Sequence, residues 1–331
     1  MTLIQSILWL GLWLLLSGVY IYVARHFNIV DHPNHRSSHQ HVTIRGGGIV
    51  FWVGIMVSTF IFNQFTVEFG LAIGLLGLAS FVDDLFSIPA IARIIVQLVA
   101  VLLLLLLSSH FNTLLSWSWM TIPISLVIIL GALNIYNFMD GINGLNVCYT
   151  LLGLISLFLI DQQNADRYLF VSIPLIAMAV FNVRPKGGAV FFSGDIGSIT
   201  SGFLLIYCIS ILCIQQSSIV YLSLIILYLV DGGWTIVIRL LKKENIFEAH
   251  RSHIFQLLAN ELEWGHLKVV FVYVAIQLFI NILLYFELAF LPINSNLWFV
   301  TMFLIASMFY FAVRHYIKTS MMSLRKGNTE L

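Results

Sequence analysis

Charge is what this sequence has least of. Asp, Glu, Lys and Arg together make up 9% of 331 residues, where a soluble domain carries about a quarter. Hydrophobic residues make up 60%, with mean hydropathy +0.97. This excludes an ordinary water-soluble fold. Cysteine is also scarce: Cys148, Cys208 and Cys213 form no disulfide or metal-ligand spacing. They read as small apolar residues in or near helices. The first apolar run, "LIQSILWLGLWLLLSGVYIYVA", has no basic leader before it and no small-residue cleavage site, so it reads as a retained helix. No GxxxxGK[ST] phosphate loop occurs. There is no internal repeat and no inverted pair of broken helices, which argues against the usual transporter plan. The largest polar segment, 238–266, is too short for a soluble domain. A net charge of +1 by itself points to no partner, and nothing marks a nucleic-acid binder.

What is present is a series of apolar runs near the length that crosses a bilayer, roughly 17–25 residues. Eleven are expected as helices: 3–24, 47–64, 66–82, 94–110, 121–137, 146–161, 168–183, 199–214, 218–237, 267–290 and 297–316. Strands are not expected, because backbone groups in lipid must be satisfied within a helix or a closed barrel. The fold class is therefore all-α, a polytopic membrane protein with about eleven transmembrane helices in a single domain, 1–331. Placing the N-terminus outside puts loops 25–46, 83–93, 138–145, 184–198 and 238–266 in the cytoplasm together with the tail from 314. Of the 16 Lys and Arg, only Arg167 then falls outside, in keeping with the positive-inside rule. The unusual residues lie in these same loops, so the active site is expected on the cytoplasmic face.

Five loops carry chemistry. In "SFVDDLFSIPAIAR", Asp83 and Asp84 end the third run. Two carboxylates at a lipid interface are costly to keep ionised without a cation or donors. They serve either as an interfacial cap or as functional groups, with Arg93 as a simple ion-pair partner. In "ALNIYNFMDGINGLN", Asn134, Asn137 and Asp140 recur every three residues near one helix face, and Gly141 and Gly144 permit a sharp turn. This suits a polar ligand, a metal or a polar C-cap. In "VFFSGDIGSITSG", Gly194 and Gly197 flank Asp195, and Ser198 follows at a helix start. Such a turn suits phosphate and offers one carboxylate to Mg²⁺. In "EAHRSHIFQLLAN", His250 and His253 flank Arg251. No third ligand completes a zinc site, and a diphosphate is the more natural target. In "DHPNHRSSHQHVTIRGGG", Arg45, Gly46, Gly47 and Gly48 lead into the second run, with Arg36, Ser37, Ser38 and His39 upstream. Bare amides and a guanidinium at a helix start make an anion site. A sixth feature, Asp231, lies within the ninth run, either functional by default or paired with a neighbouring helix.

Carboxylates for a hard cation, Gly turns with Arg and His for phosphates, and apolar helices for a membrane-dissolved substrate point together to phosphoryl transfer between a nucleotide and a lipid phosphate. The ordered set "DHPNHRSSH…RGGG", "FVDD", "NIYNFMDGINGL", "FFSGDIGS" and "EAHRSHIFQ" closely resembles the polyprenyl-phosphate N-acetylhexosamine-1-phosphate transferase family. The resemblance runs from about residue 1 to 290. The segment "VDGGWTIVIRLLKKENIFEAHRSHIFQLL" looks most like the branch that initiates O-antigen synthesis with 6-deoxy-N-acetylhexosamines. The resemblance implies transfer of a sugar-1-phosphate from a UDP-N-acetylhexosamine (GlcNAc, or the 6-deoxy sugars FucNAc or QuiNAc) to undecaprenyl phosphate, with UMP released. It implies Mg²⁺, or Mn²⁺ in its place, a bacterial inner-membrane location and a homodimer. Residue by residue, it makes Asp83, Asp84 and Asp195 catalytic, with Asp83 favoured to deprotonate or orient the lipid phosphate. Asp195 and Asp140 become metal ligands. Asn137, Asp140, Asn143 and Phe192 shape the nucleoside and phosphate pocket, which Arg45, Gly46, Gly47 and Asn134 join. His250, Arg251 and His253 hold the sugar nucleotide. This sequence departs from the family at residue 143, Asn where the phospho-MurNAc-pentapeptide translocase branch has Asp. It also reads "HRSHIFQ" in place of three successive His, and it lacks prolines before Arg45. A transporter, or a non-catalytic lipid-binding protein of the same fold, is the competing reading.

Overall fold

The computed structural model describes residues 2–31, 42–109, 120–185, 188–245, 250–290 and 295–329. Within them eleven long helices follow the eleven apolar runs: α1 (Leu3–His26), α2 (Ile49–Phe60), α3 (Val67–Phe86), α4 (Ala90–Leu107), α5 (Thr121–Phe138), α6 (Leu145–Ile160), α7 (Ala165–Asn182), α8 (Gly194–Gln215), α9 (Ile226–Leu241), α10 (His266–Phe290) and α11 (Ser295–Thr329). Nine segments are long and apolar enough to cross a membrane, α9 together with the 3₁₀ turn Ile219–Ile225 before it. The other two helices are α2, with 12 residues, and α6, with 16. At 1.5 Å per residue α2 reaches only about 18 Å, short of a hydrocarbon core of about 30 Å. The expected eleven spans therefore become nine full-length ones and two shorter apolar helices. The sole sheet among the described residues pairs Val30–Asp31 antiparallel with Thr43–Ile44, in a loop and not in a span.

Helix α8 is the axis of the molecule, with 89% of its apolar window buried. It packs against α2, α3, α5 and α6. Aromatic rings fill the seam with α3: Phe69 lies 5.7 Å from Phe203 and 4.3 Å from Tyr207, centroid to centroid. Away from the loops, polar side chains join helices where lipid offers them no partner. Gln277 of α10 is fully buried; it accepts from the Tyr149 hydroxyl at 2.5 Å and donates to the Ser223 carbonyl at 2.8 Å.

Of the helices that run past their expected ends, three place a site residue by doing so. α3 continues to Phe86, so Asp83 and Asp84 lie in its last turn. It stops at Ser87, whose φ of 52° is left-handed. α4 starts at Ala90 behind Pro89, which puts Arg93 in its first turn. α8 starts at Gly194, five residues before the expected 199, so Asp195 lies in its first turn.

Candidate active site

The loops meet at the end of the bundle where Lys and Arg concentrate. Asp84 organises the meeting. Its Oδ1 accepts from Arg45 Nε at 2.9 Å and from the Asp195 amide at 2.9 Å, and its Oδ2 accepts from the Ile196 amide at 3.1 Å. A carboxylate with fully buried oxygens thus caps the positive start of α8. Gly194 admits it: φ there is +69°, and a Cβ would stand 2.3 Å from Asp84 Oδ2. With three donors on its oxygens, Asp84 acts as an anchor and lies outside the cavity. These contacts are those of an anchor, where the sequence suggested a catalytic group.

Asp83 points elsewhere. Its Oδ1 accepts from the Ile88 amide at 2.7 Å and its Oδ2 from Arg93 Nη1 at 3.0 Å. The same Arg93 nitrogen stands 3.4 Å from Asp195 Oδ2. One guanidinium nitrogen therefore bridges the carboxylates of α3 and α8. Asp83, Arg93, Gln97 and Asp195 line a small cavity of about 30 Å³, with Ser80 beside them. That volume suits a water or a single ion. Arg93 was expected only as an ion-pair partner, and Gln97 was not singled out at all. Their spacing of four on an otherwise apolar helix is the signal for them, since i and i+4 share a face.

The glycine loop corrects a second expectation. The Gly47 amide donates to the Phe192 carbonyl and the Gly48 amide to the Ser193 carbonyl, both at 2.9 Å, while the Phe192 amide donates to Ile44 at 2.8 Å. These two glycines stitch one loop to another and do not present bare amides to an anion. Gly48 is needed for the contact itself: a Cβ there would lie 2.2 Å from Gly197 Cα. Arg45 is held at its carbonyl by the Tyr20 hydroxyl and at Nε by Asp84, with its side chain 30% exposed. Gly46 follows with φ +73°. The upstream Arg36, Ser37, Ser38 and His39 lie outside the described residues.

The segment after α5 bridges to the His loop. Asn137 Oδ1 accepts from the Ser198 hydroxyl of α8 at 2.6 Å. Asp140 receives a hydrogen bond from Ser193, while burial first and the charge of Asp84 second push its carboxyl up to about 7. Between them, Phe138 lies 6.1 Å from the His250 ring and 6.4 Å from the His253 ring. Burial, with His253 and Arg239 nearby, lowers His250 to about 4, so it is neutral at physiological pH. Its Nδ1 pairs with Ser252 at 2.8 Å. Arg251 is half-buried in the same loop.

Asn134 and Asn143 each bond to neighbouring segments of the fold. Asn134 Nδ2 donates to Gln97 and to the Leu130 carbonyl, each at 2.8 Å. Asn143 is buried, its amide on His266 Nδ1 at 3.3 Å. Asn182 fastens this corner, accepting from the Gly144 amide at 3.0 Å and donating to Phe191 at 3.1 Å. Among the described residues, no three His, Cys, Asp or Glu side chains stand together as a ready metal site.

Residues 66–214 match the glycosyl transferase family 4 model. The chain is 29% identical over 272 residues to an undecaprenyl-phosphate alpha-N-acetylglucosaminyl 1-phosphate transferase of Yersinia pestis, covering 74% of each chain. It is 24% identical over 271 residues to a probable undecaprenyl-phosphate N-acetylglucosaminyl 1-phosphate transferase of Bacillus subtilis, covering 73% of this chain and 72% of the other. A phospho-N-acetylmuramoyl-pentapeptide-transferase of Caldicellulosiruptor bescii is 26% identical over 257 residues, covering 69% and 77%.

Proposed function

We propose that the chain is a member of the polyprenyl-phosphate N-acetylhexosamine-1-phosphate transferase family, and that it transfers an N-acetylhexosamine-1-phosphate from a UDP-sugar to undecaprenyl phosphate. A phosphate oxygen of the lipid attacks the sugar-bearing phosphorus, the bond to the other phosphate breaks, and UMP leaves. One observation carries the reading: Asp83 and Asp195 converge on a small cavity with Arg93, beside Arg45, at one end of an apolar bundle. Lipid phosphate and nucleotide can meet only at such an end.

The residues have the chemistry of a hard-cation site. Mg²⁺ prefers oxygen donors and is commonly held by one or two carboxylates plus substrate phosphates, so a site with no three-ligand cage is in character. Asp195 and Asp140 would hold it, and a cation there would offset the burial and the Asp84 charge that disfavour an ionised Asp140. When bound, the ion neutralises charge on the transferring diphosphate. The chain's own residues do the rest. Asp83 orients or deprotonates the lipid phosphate, Arg45 meets a phosphate, and the His loop holds the sugar nucleotide. Asp84 keeps the start of α8 and Arg45 in register.

The donor follows from the same reading. N-acetylglucosamine is the sugar in the names of the Yersinia pestis and Bacillus subtilis relatives, while the His-loop segment resembles the branch using N-acetylfucosamine or N-acetylquinovosamine. The product would start O-antigen or a related surface glycan, at the inner membrane, with the N-terminus periplasmic. UMP release by purified, detergent-solubilised protein with undecaprenyl phosphate and Mg²⁺, offered the three UDP-sugars in parallel, tests the reading. Release with one sugar, lost with EDTA, supports it and names the donor. No release from folded protein with any of them, and no UDP binding, overturns it.

Arg45→Ala should raise KM for one substrate about tenfold or more, the usual effect of losing a charge-assisted contact to phosphate. Two amides still hold Asp84, but its buried carboxylate loses its counter-charge, so thermal unfolding of the same preparation separates the KM effect from lost stability. Unchanged kinetics would remove Arg45 from the site.

A further inference from the structure

Asp231 has no part in the chemistry above. It stands in α9, 3% exposed, within a segment apolar enough to cross a membrane, where an ionised group must be paired. Its partners come from the His loop and from α10. The Ile254 amide donates to Oδ1 at 3.1 Å and the Tyr273 hydroxyl to Oδ2 at 2.6 Å, with Thr235 at 3.4 Å from Oδ1. His253 is 1% exposed, and its Nδ1 faces Asp231 Oδ1 at 3.5 Å. That is a long approach for a hydrogen bond, but it commits Nδ1 to Asp231, while Nε2 is buried without a hydrogen-bond partner.

The rest of the loop is gripped in the same manner. Arg239, two turns along α9 and 4% exposed, donates from Nε to Glu244 at 3.0 Å and from Nη2 to the Asn245 carbonyl at 2.6 Å. Arg314 of α11 donates to the Ser252 carbonyl at 2.9 Å. Charged groups from two helices hold the main chain at 245, 252 and 254, while Nε2 of His253 keeps its hydrogen-bonding capacity unspent. Buried polar groups in native structures nearly always find partners, so an unspent ring nitrogen in the loop proposed to hold the sugar nucleotide points to a ligand. The ring of His253 stacks near His250 at 4.9 Å, and both face Phe138.

Resting on the transferase reading, we infer that Asp231 is a positioning residue. It fixes the backbone at 253–254 and accepts from Nδ1–H of His253, so that Nε2 is presented to the diphosphate of the donor. A carboxylate on the far nitrogen sets both the tautomer and the ring orientation.

The test uses the full chain in detergent and two probes, UDP and uridine, which share the base and sugar and differ in the diphosphate. In Asp231→Asn, UDP should bind about tenfold more weakly, the effect of one lost charge-assisted contact, with uridine unchanged. His253→Ala should do the same, and the double variant should be no weaker than His253→Ala alone. Tyr273→Phe keeps the carboxylate and removes one of its donors; it should weaken UDP by about threefold and leave uridine alone. It decides the matter if Asp231→Asn fails to fold. Equal losses for UDP and uridine, additive effects of Asp231→Asn and His253→Ala, or wild-type UDP affinity in Tyr273→Phe would overturn the inference. Wild-type protein that binds no UDP would overturn the transferase reading itself, a distinguishable result.

Discussion

Replacing Asp195 by Asn lowers UMP release on the order of 10³-fold while leaving the melting temperature nearly unchanged. The two halves of that expectation have separate physical sources. The side chain of Asp195 is 25% exposed; it meets Arg93 at 3.4 Å and shares a hydrogen bond with Asp83. The fold uses its amide, which Asp84 holds at 2.9 Å. An Asn there keeps the amide, the volume and the start of α8, and deletes only the charge. Losing one preorganised group aimed at developing charge costs about 10²–10³ in rate, and a phosphoryl transfer resting mainly on charge neutralisation sits at the upper end. The check is kcat from UMP release, with thermal unfolding of the same preparation. Activity within tenfold of wild type would take Asp195 out of the catalytic group.

Much of this arrangement is legible in the chain. The apolar runs place all eleven long helices, because uniformly apolar stretches in lipid have only the helix as an open-ended solution. The polar loops between them single out Asp83, Asp140, Asp195 and His253 by their improbability in so uncharged a sequence. What is not legible is which neighbour each polar group meets. "RGGG" reads as a bare-amide anion cradle, yet Gly47 and Gly48 give their amides to Phe192 and Ser193. The pairing joins residues far apart in sequence, and the pattern around either loop does not announce it. Asp83 and Asp84 are adjacent and chemically identical, and only the approach of α8, 111 residues further on, tells them apart. Gln97 was hidden for the opposite reason. One amide in an apolar helix looks like noise until Asn134 is found 2.8 Å from it. Asp231 stood out in the sequence by its position, but its role depends on Ile254 and Tyr273 arriving from other segments.

The two aspartates of the pair therefore have opposite mutational signatures. Asp84→Ala removes a carboxylate with fully buried oxygens and strands three donors at once: Arg45 Nε and the amides of Asp195 and Ile196. Breaking a buried ion pair on one side costs about 3–5 kcal/mol, and loss of a helix N-cap adds roughly 1 kcal/mol. The whole of that should appear as lost stability, seen as a large drop in melting temperature, and activity should fall with the folded fraction and with the displacement of Asp195 and Arg45. Asp83→Ala strands one amide, that of Ile88, where Asp84→Ala strands two, and it frees Asp195 and the partly exposed Arg93 to meet water. It should unfold close to wild type while losing turnover as Asp195→Asn does. Measuring thermal unfolding and UMP release on both variants separates the roles. If Asp84→Ala melts with wild type and is merely inactive, then its carboxylate acts on substrate after all, and the anchor at the start of α8 must be sought in the loop contacts of Gly47 and Gly48. If instead Asp83→Ala is the one that unfolds, the cavity with Arg93 is a structural ion pair and the lipid phosphate is met elsewhere.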